Sequence, residues 1–231
     1  MLLKVDVQLR AAGRPIRARF DLDLVPGSLS FLTGPPEAGK NALMQSLQGT
    51  HRPVSGCISL GARIWYQGDG QRFLETLDRS VALVTLETSL VRFKTVGWHI
   101  SSSLAHWSTR SRGQRATELL RRVGLEGTSQ LLASRLSADQ RWRLCLARAL
   151  APRPCLLLLD EPHSGLQDPQ EKSHLRDLRI LLKEEAVPAL MSVQEATGIA
   201  APGERILELK PPPTRLSTTS RLGMAKAPAV A

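Results

Sequence analysis

The segment Gly34-Pro35-Pro36-Glu37-Ala38-Gly39-Lys40-Asn41 carries the strongest chemical signal in the chain. It fits the pattern G-x-x-x-x-G-K-[ST] at every position but the last. An apolar stretch, residues 29–33, runs into it, and a helical stretch over residues 41–48, with Ala42 in its first turn, runs out of it. A chain that bends this way points backbone N–H groups inward, and the helix start adds positive potential. Lys40 is then placed to reach the β and γ oxygens of a polyphosphate. A second signal is Leu156-Leu157-Leu158-Leu159-Asp160-Glu161-Pro162, an apolar strand that ends on two acids. Ligands of open α/β sheets gather at that carboxyl edge. Asp160 is placed there to hold Mg²⁺, with Asn41 beside it, because an amide oxygen can coordinate a hard cation. Glu161 is placed to orient or deprotonate a water attacking a γ-phosphate.

A third segment, Leu136-Ser137-Ala138-Asp139-Gln140, opens a helix that runs to about Leu150. Ser137 and Gln140 have the spacing of a capping box. Trp142, Cys145, Leu146, Ala149 and Leu150 form its apolar stripe, with Arg141 and Arg148 on another face.

These groups need elements to hold them. Val5, Val7 and Leu9 alternate with polar residues, as do Ile16, Ala18, Phe20, Leu22 and Leu24, which predicts two half-buried strands joined by a turn at residues 12–15. Short apolar runs at 29–33, 81–86, 155–159, 189–193 and 206–209 predict buried strands of an α/β sheet. Between residues 87 and 135 the strand signal vanishes, and Leu119, Leu120 and Val123 share a helical face, so this region reads as a helical insert. The expected division is a core over 1–86, a helical subdomain over 87–135, the rest of the core over 136–210, and an unfolded basic, Pro-rich tail over 211–231.

Composition agrees with one sizeable globular unit. At 42% apolar and 23% charged residues, the 231-residue chain is neither a disordered polymer, a collagen nor a coiled coil. Its longest apolar runs fall far short of the roughly 20 residues that span a bilayer. Lys4 and Asp6 interrupt the stretch a signal peptide would need, so a cytosolic protein is expected, with Cys57, Cys145 and Cys155 as buried reduced thiols. The net charge of +10 is concentrated in residues 110–148, which hold nine arginines and three acids, and in the tail, which holds Arg215, Arg221 and Lys226. Such a balance attracts nucleotides, anionic membranes or nucleic acid without choosing among them.

The order of these segments resembles the ATP-binding cassette (ABC) family. LSADQ at 136–140 stands where that family has its signature LSGGQ, the strand ending on Asp160 and Glu161 where it has Walker B, and Ser164–Asp168 where it has the D-loop. Within the family the chain looks most like the ATPase subunit of molybdate-type importers, a likeness carried by residues 79–100. The resemblance implies an α/β fold, a P-loop NTPase of ABC type with an N-terminal antiparallel β subdomain and a helical insert. It also implies ATP and Mg²⁺ as cofactors, and a head-to-tail dimer with a second cassette in which Ser137 faces the partner's γ-phosphate. The partners would be transmembrane permease subunits, with the chain peripheral on the inner face of the cell membrane and importing a solute such as a molybdate-like oxyanion. Two other readings are a non-catalytic regulatory partner of another cassette and a nucleic-acid-associated ABC protein.

The departures from the family pattern fall on chemistry. Asn41 replaces the Ser/Thr that ligates Mg²⁺, Leu86 aligns with the Q-loop glutamine, and Asp139 with the second signature glycine, a negative charge aimed at a polyanion. Gln194 takes the place of the switch histidine, where it can hydrogen-bond a phosphate but carry no charge. Pro36 removes a loop N–H, Glu37 sets a carboxylate beside the expected phosphate, and Phe20, the one aromatic near the adenine-stacking position, has a core phase. Each lost contact costs on the order of 10²–10³ in rate if it resembles an oxyanion-hole donor, which predicts nucleotide binding with weak hydrolysis.

Overall fold

The computed structural model describes residues 1–11, 13–68, 72–85, 90–161 and 168–210. Leu86, residues 162–167, which include 164–167 of the D-loop segment, and the tail from Pro211 lie outside the described residues. The strands are β1 (Leu2–Ala11), β2 (Arg14–Asp23), β3 (Leu29–Thr33), β4 (Ser55–Leu60), β5 (Arg63–Gln67), β6 (Arg72–Phe73), β7 (Val81–Thr85), β8 (Leu156–Asp160), β9 (Ala189–Ser192) and β10 (Arg205–Glu208). The helices are α1 (Lys40–Gln48), α2 (Thr76–Arg79), α3 (Val96–Ser102), α4 (Thr109–Arg122), α5 (Ala138–Leu150) and α6 (Asp168–Glu185).

Period-2 alternation makes β1 and β2 an antiparallel hairpin, in register from Leu2 opposite Asp23 to Ala11 opposite Arg14. Leu3, Val5, Val7 and Leu9 face inward with Ile16, Ala18 and Leu22, and Phe20 is half-buried against the same core. β4, β5 and β6 extend this sheet in the order β2-β1-β4-β5-β6. A register shift between Ile58 and Ser59 breaks their alternation, which hides them in the sequence. Cys57 stands exposed on β4, opposite Asp6, contrary to the expectation of three buried thiols. Cys145 is buried, and half-buried Cys155 donates to Arg79 O at 3.2 Å.

The second sheet is parallel, in the order β10-β3-β9-β8-β7. It is covered on both faces, so β8 reads as an unbroken run of leucines. Leu156 and Leu158 join the core beneath α1, with Leu43, Met44 and Leu47 of that helix and the hairpin residues. Leu157 and Leu159 join the other core, beneath α3–α6. This phase decides where the chemistry goes. Asp160 continues the series 156, 158, and Ser192 continues from Leu190, so both side chains fall on the α1 face.

Arg79 ties α1 to the antiparallel sheet. Its buried guanidinium donates to Ser46 O (2.5 Å) and Leu47 O (3.1 Å), carbonyls of the last turn of α1, and lies over the rings of Trp65 and Phe73. Desolvation outweighs the attraction of Glu75 and brings its pKa down to about 10.

The helical insert is held by a buried ion cluster. Arg115 of α4 donates to Leu150 O (3.1 Å) and Ala151 O (3.3 Å) at the end of α5, and pairs with Glu185 at the end of α6. Arg122 bridges Glu185 (2.8 Å) and Glu118 (2.6 Å). Burial alone would raise the Glu118 carboxyl, but its hydrogen bonds to Arg115 and Arg122 and their charges hold it below the ordinary value. Leu119, Leu120 and Val123 are buried, as their spacing predicts.

Candidate functional site

The glycines of the loop after β3 are dictated by backbone conformation and, at Gly34, by close approach to another backbone segment. Gly34 has φ 144°, and a Cβ there would stand 2.4 Å from Leu209 O at the end of β10. Gly39 has φ 81°, and its Cβ would stand 2.0 Å from Ile16 Cδ1. The loop is therefore pressed between the hairpin and the parallel sheet. Pro36–Ala38 form a single 3₁₀ turn in which Ala38 N–H donates to Pro35 O at 3.0 Å. With Pro35 and Pro36 lacking N–H groups, donors at this end of the loop are few. Glu37 is exposed on the turn. α1 starts at Lys40 without a side-chain cap, which leaves the first-turn N–H groups of Lys40, Asn41 and Ala42 for water or a ligand.

Lys40 is only 2% exposed. Its ammonium donates to Gly34 O (2.6 Å) and Pro35 O (3.3 Å) and lies 3.1 Å from Glu161 Oε1. Three acceptors thus meet its three hydrogens. Next to it, Asn41 Nδ2 donates to Asp160 Oδ2 at 2.9 Å, and Ser192 Oγ donates to Asp160 Oδ1 at 2.5 Å. Ser192 also accepts the N–H of Glu161, on Oγ at 3.0 Å and on O at 3.2 Å. Glu161 has φ 41°, a left-handed conformation that ends the strand and turns its side chain back toward Lys40.

Segments 34–42 and 160–161, more than a hundred residues apart, therefore meet in one cradle. Ser192 belongs to it as well. Its signal in the sequence is a small hydroxyl one residue beyond the apolar stretch 189–191, in phase with Leu190. Gln194 lies two residues further on, exposed. Ser137 is elsewhere, exposed at the N-cap of α5. Its hydroxyl accepts from Gln140 N–H (3.2 Å) and its N–H donates to Gln140 Oε1 (2.9 Å), a complete capping box.

Two expectations change. Asp139 is not aimed off the helix end, because His174 of α6 (2.7 Å) and Arg143 of α5 (3.1 Å) draw its carboxylate along the helix. The second concerns Mg²⁺ between Asn41 and Asp160. The amide nitrogen, not the oxygen, faces the carboxylate, as two electron-rich oxygens without a hydrogen between them would repel. An ion shared by the Asn41 oxygen and Asp160 would have to displace the hydrogen bond between them, so the pair as arranged does not fit the ion.

A family profile described as ABC transporter matches residues 18–164. The "Fe(3+) ions import ATP-binding protein FbpC" of Yersinia pestis is 32% identical over 180 residues, which cover 78% of this chain and 51% of that protein. The "Sulfate/thiosulfate import ATP-binding protein CysA" of Caulobacter vibrioides is 32% identical over 171 residues, 71% of this chain and 49% of that protein. The chain thus spans about half the length of these curated relatives. Their names speak of iron and of sulfate or thiosulfate, so the narrower molybdate-type likeness is not what they carry. The solved structure of cbiO1 from Clostridium perfringens, part of the ABC transporter complex cbiONQ, shares the fold with a TM-score of 0.70 at 19% identity, over 86% of this chain and 80% of that one.

Proposed function

This chain belongs to the ABC transporter family, and from that membership we propose that it is the ATP-binding subunit of an importer working with separate permease subunits. The observation that carries this is the meeting of Lys40 and Glu161 at 3.1 Å across the phosphate loop. In the resting chain, Gly34 O, Pro35 O and Glu161 occupy the ammonium of Lys40. The γ-phosphate of ATP takes their place, with the uncapped start of α1 donating to the other phosphate oxygens. Glu161, released from Lys40 but still held through its N–H by Ser192, then faces the water that attacks. Ser137, at an exposed helix start, meets the phosphate of a second cassette, and the contacts of Asp139 with His174 and Arg143 keep its charge from repelling that phosphate.

Turnover is expected to be slow. The loop lacks two N–H groups, and Gln194 cannot carry the charge of a histidine. The departures therefore also favour a second reading, a nucleotide-binding partner that leaves hydrolysis to another cassette.

A permease docks on the insert. Phe93, Trp98, Leu131 and Leu132 are exposed on neighbouring segments joined by the Thr95–Leu132 bridge, with Lys94 over both rings. A cluster of exposed large apolar residues is what a partner surface needs. The cassette would then lie against the cytoplasmic face of the membrane. The name of the sulfate and thiosulfate relative favours an oxyanion as cargo, and that of the Fe(3+) relative a metal ion.

Thermal unfolding with and without ATP tests the nucleotide reading. ATP should raise the Tm, and Lys40→Ala should remove the rise while leaving the fold. An unchanged Tm in the unsubstituted chain overturns the reading. Phosphate release abolished by Glu161→Gln would identify hydrolysis, and release indifferent to that substitution would favour the non-catalytic partner.

A further inference from the structure

We infer that the phosphate site of this chain takes a nucleoside triphosphate without a divalent cation, Asn41 giving Asp160 the compensation that a cation would otherwise give. This rests on the nucleotide-binding reading above.

Asp160 is 9% exposed, and an ionised carboxylate so placed must be compensated. Here protein donors do so on both oxygens, Asn41 Nδ2 at 2.9 Å and Ser192 Oγ at 2.5 Å. A hydroxyl at position 41 could serve two masters with one atom, its hydrogen going to the carboxylate and its lone pair to a cation. An amide nitrogen has hydrogens to give and no lone pair available to a cation. To ligate a metal beside Asp160, the amide must turn its oxygen inward. That breaks the bond to Oδ2 and sets two acceptors face to face. The return is one neutral oxygen ligand for an ion that demands near-octahedral geometry at about 2.0–2.1 Å and sheds water reluctantly.

One positive charge that a triphosphate can use is already in place. Lys40 is buried in the cradle with its ammonium directed at acceptors that a phosphate can replace. The uncapped first turn of α1 adds N–H donors. Asn41 thereby sets which form of the nucleotide the site accepts, a specificity role rather than a catalytic one.

The experiment measures ATP affinity of the full chain by calorimetry, once with EDTA and once with millimolar MgCl₂, for the unsubstituted protein and for Asn41→Ser. The unsubstituted chain should differ by less than about threefold between the two conditions, and Asn41→Ser should gain a preference for Mg²⁺ of about tenfold or more. An unsubstituted chain that binds ATP about tenfold more tightly with Mg²⁺ overturns the inference and leaves the nucleotide reading intact. Failure of Asn41→Ser to gain a metal preference overturns the assignment to Asn41. No binding by either protein in either condition overturns the nucleotide reading, and the inference falls with it.

Discussion

Ser192 shows how much one hydroxyl can organise. It donates to Asp160 and accepts from the N–H of Glu161, so it holds both acids of the cradle at once. Ser192→Ala leaves Asp160 with one protein donor fewer in a buried setting and should cost about 1–3 kcal/mol, read by urea unfolding. The same substitution should weaken the ATP-dependent rise in Tm, because Asp160 and Glu161 lose their common support. Asp139 is the opposite case. Its side chain is 43% exposed, so its pairs with Arg143 and His174 are screened, and Asp139→Ala should change stability by about 1 kcal/mol or less in the same assay. A surface pair and a buried one look alike in a sequence and differ in consequence.

At the scale of elements, the insert depends on the end of α6. Glu185 has a 3% exposed side chain and is shared by Arg115 and Arg122. Removing Arg115 leaves that carboxylate with reduced compensation and frees two carbonyls at the end of α5. Arg115→Ala should therefore cost about 3–5 kcal/mol, a fall in Tm of roughly 6–20 °C for a domain of this size. His99 of α3 supplies a pH dependence. It is 1% exposed, with Nε2 3.2 Å from Val91 O. Burial, aided by the charge of Arg148 and opposed by the Val91 bond, lowers its pKa below the ordinary 6.5. The unfolded chain then binds this proton more readily than the folded one, so the stability His99 confers is present above pH 6.5 and is lost as the pH falls below it. Glu118, also held below its ordinary 4.5, loses its contribution at lower pH still. Unfolding free energy measured from about pH 7 down to pH 5 should decline, and His99→Leu should flatten the decline.

At the scale of the whole molecule, the basic charge is less available than its total suggests. Of the nine arginines at 110–148, Arg115, Arg122 and Arg143 pair with acids, and Arg141 donates to Leu136 O at 2.7 Å. This internal use weighs against a nucleic-acid face. The exposed apolar cluster on the insert is the better candidate for a partner. Phe93→Ser with Trp98→Ser should abolish co-purification with the permease while leaving the ATP-dependent rise in Tm unchanged, because both residues lie outside the cradle. Among the described residues no helix is long and apolar enough to cross a membrane.

What could be read from the order of residues is what short-range physics controls. The hairpin, the parallel strands, the capping box at Ser137 and the turn at Gly34 and Gly39 follow from periodicity, side-chain donors and the need for glycine at positive φ. The strands β4 to β6 escaped because a register shift and an exposed face blur their alternation. Which atoms meet was decided only in three dimensions. The nitrogen of Asn41 facing Asp160, the turn of Asp139 toward His174, the place of Ser192 and the pairing of Lys40 with Glu161 all join segments remote in the chain, and only the folded sheet sets their distances. Residue types name the chemistry that is possible. Which donor meets which acceptor depends on burial, where every polar group must find a partner among whatever the fold has placed nearby.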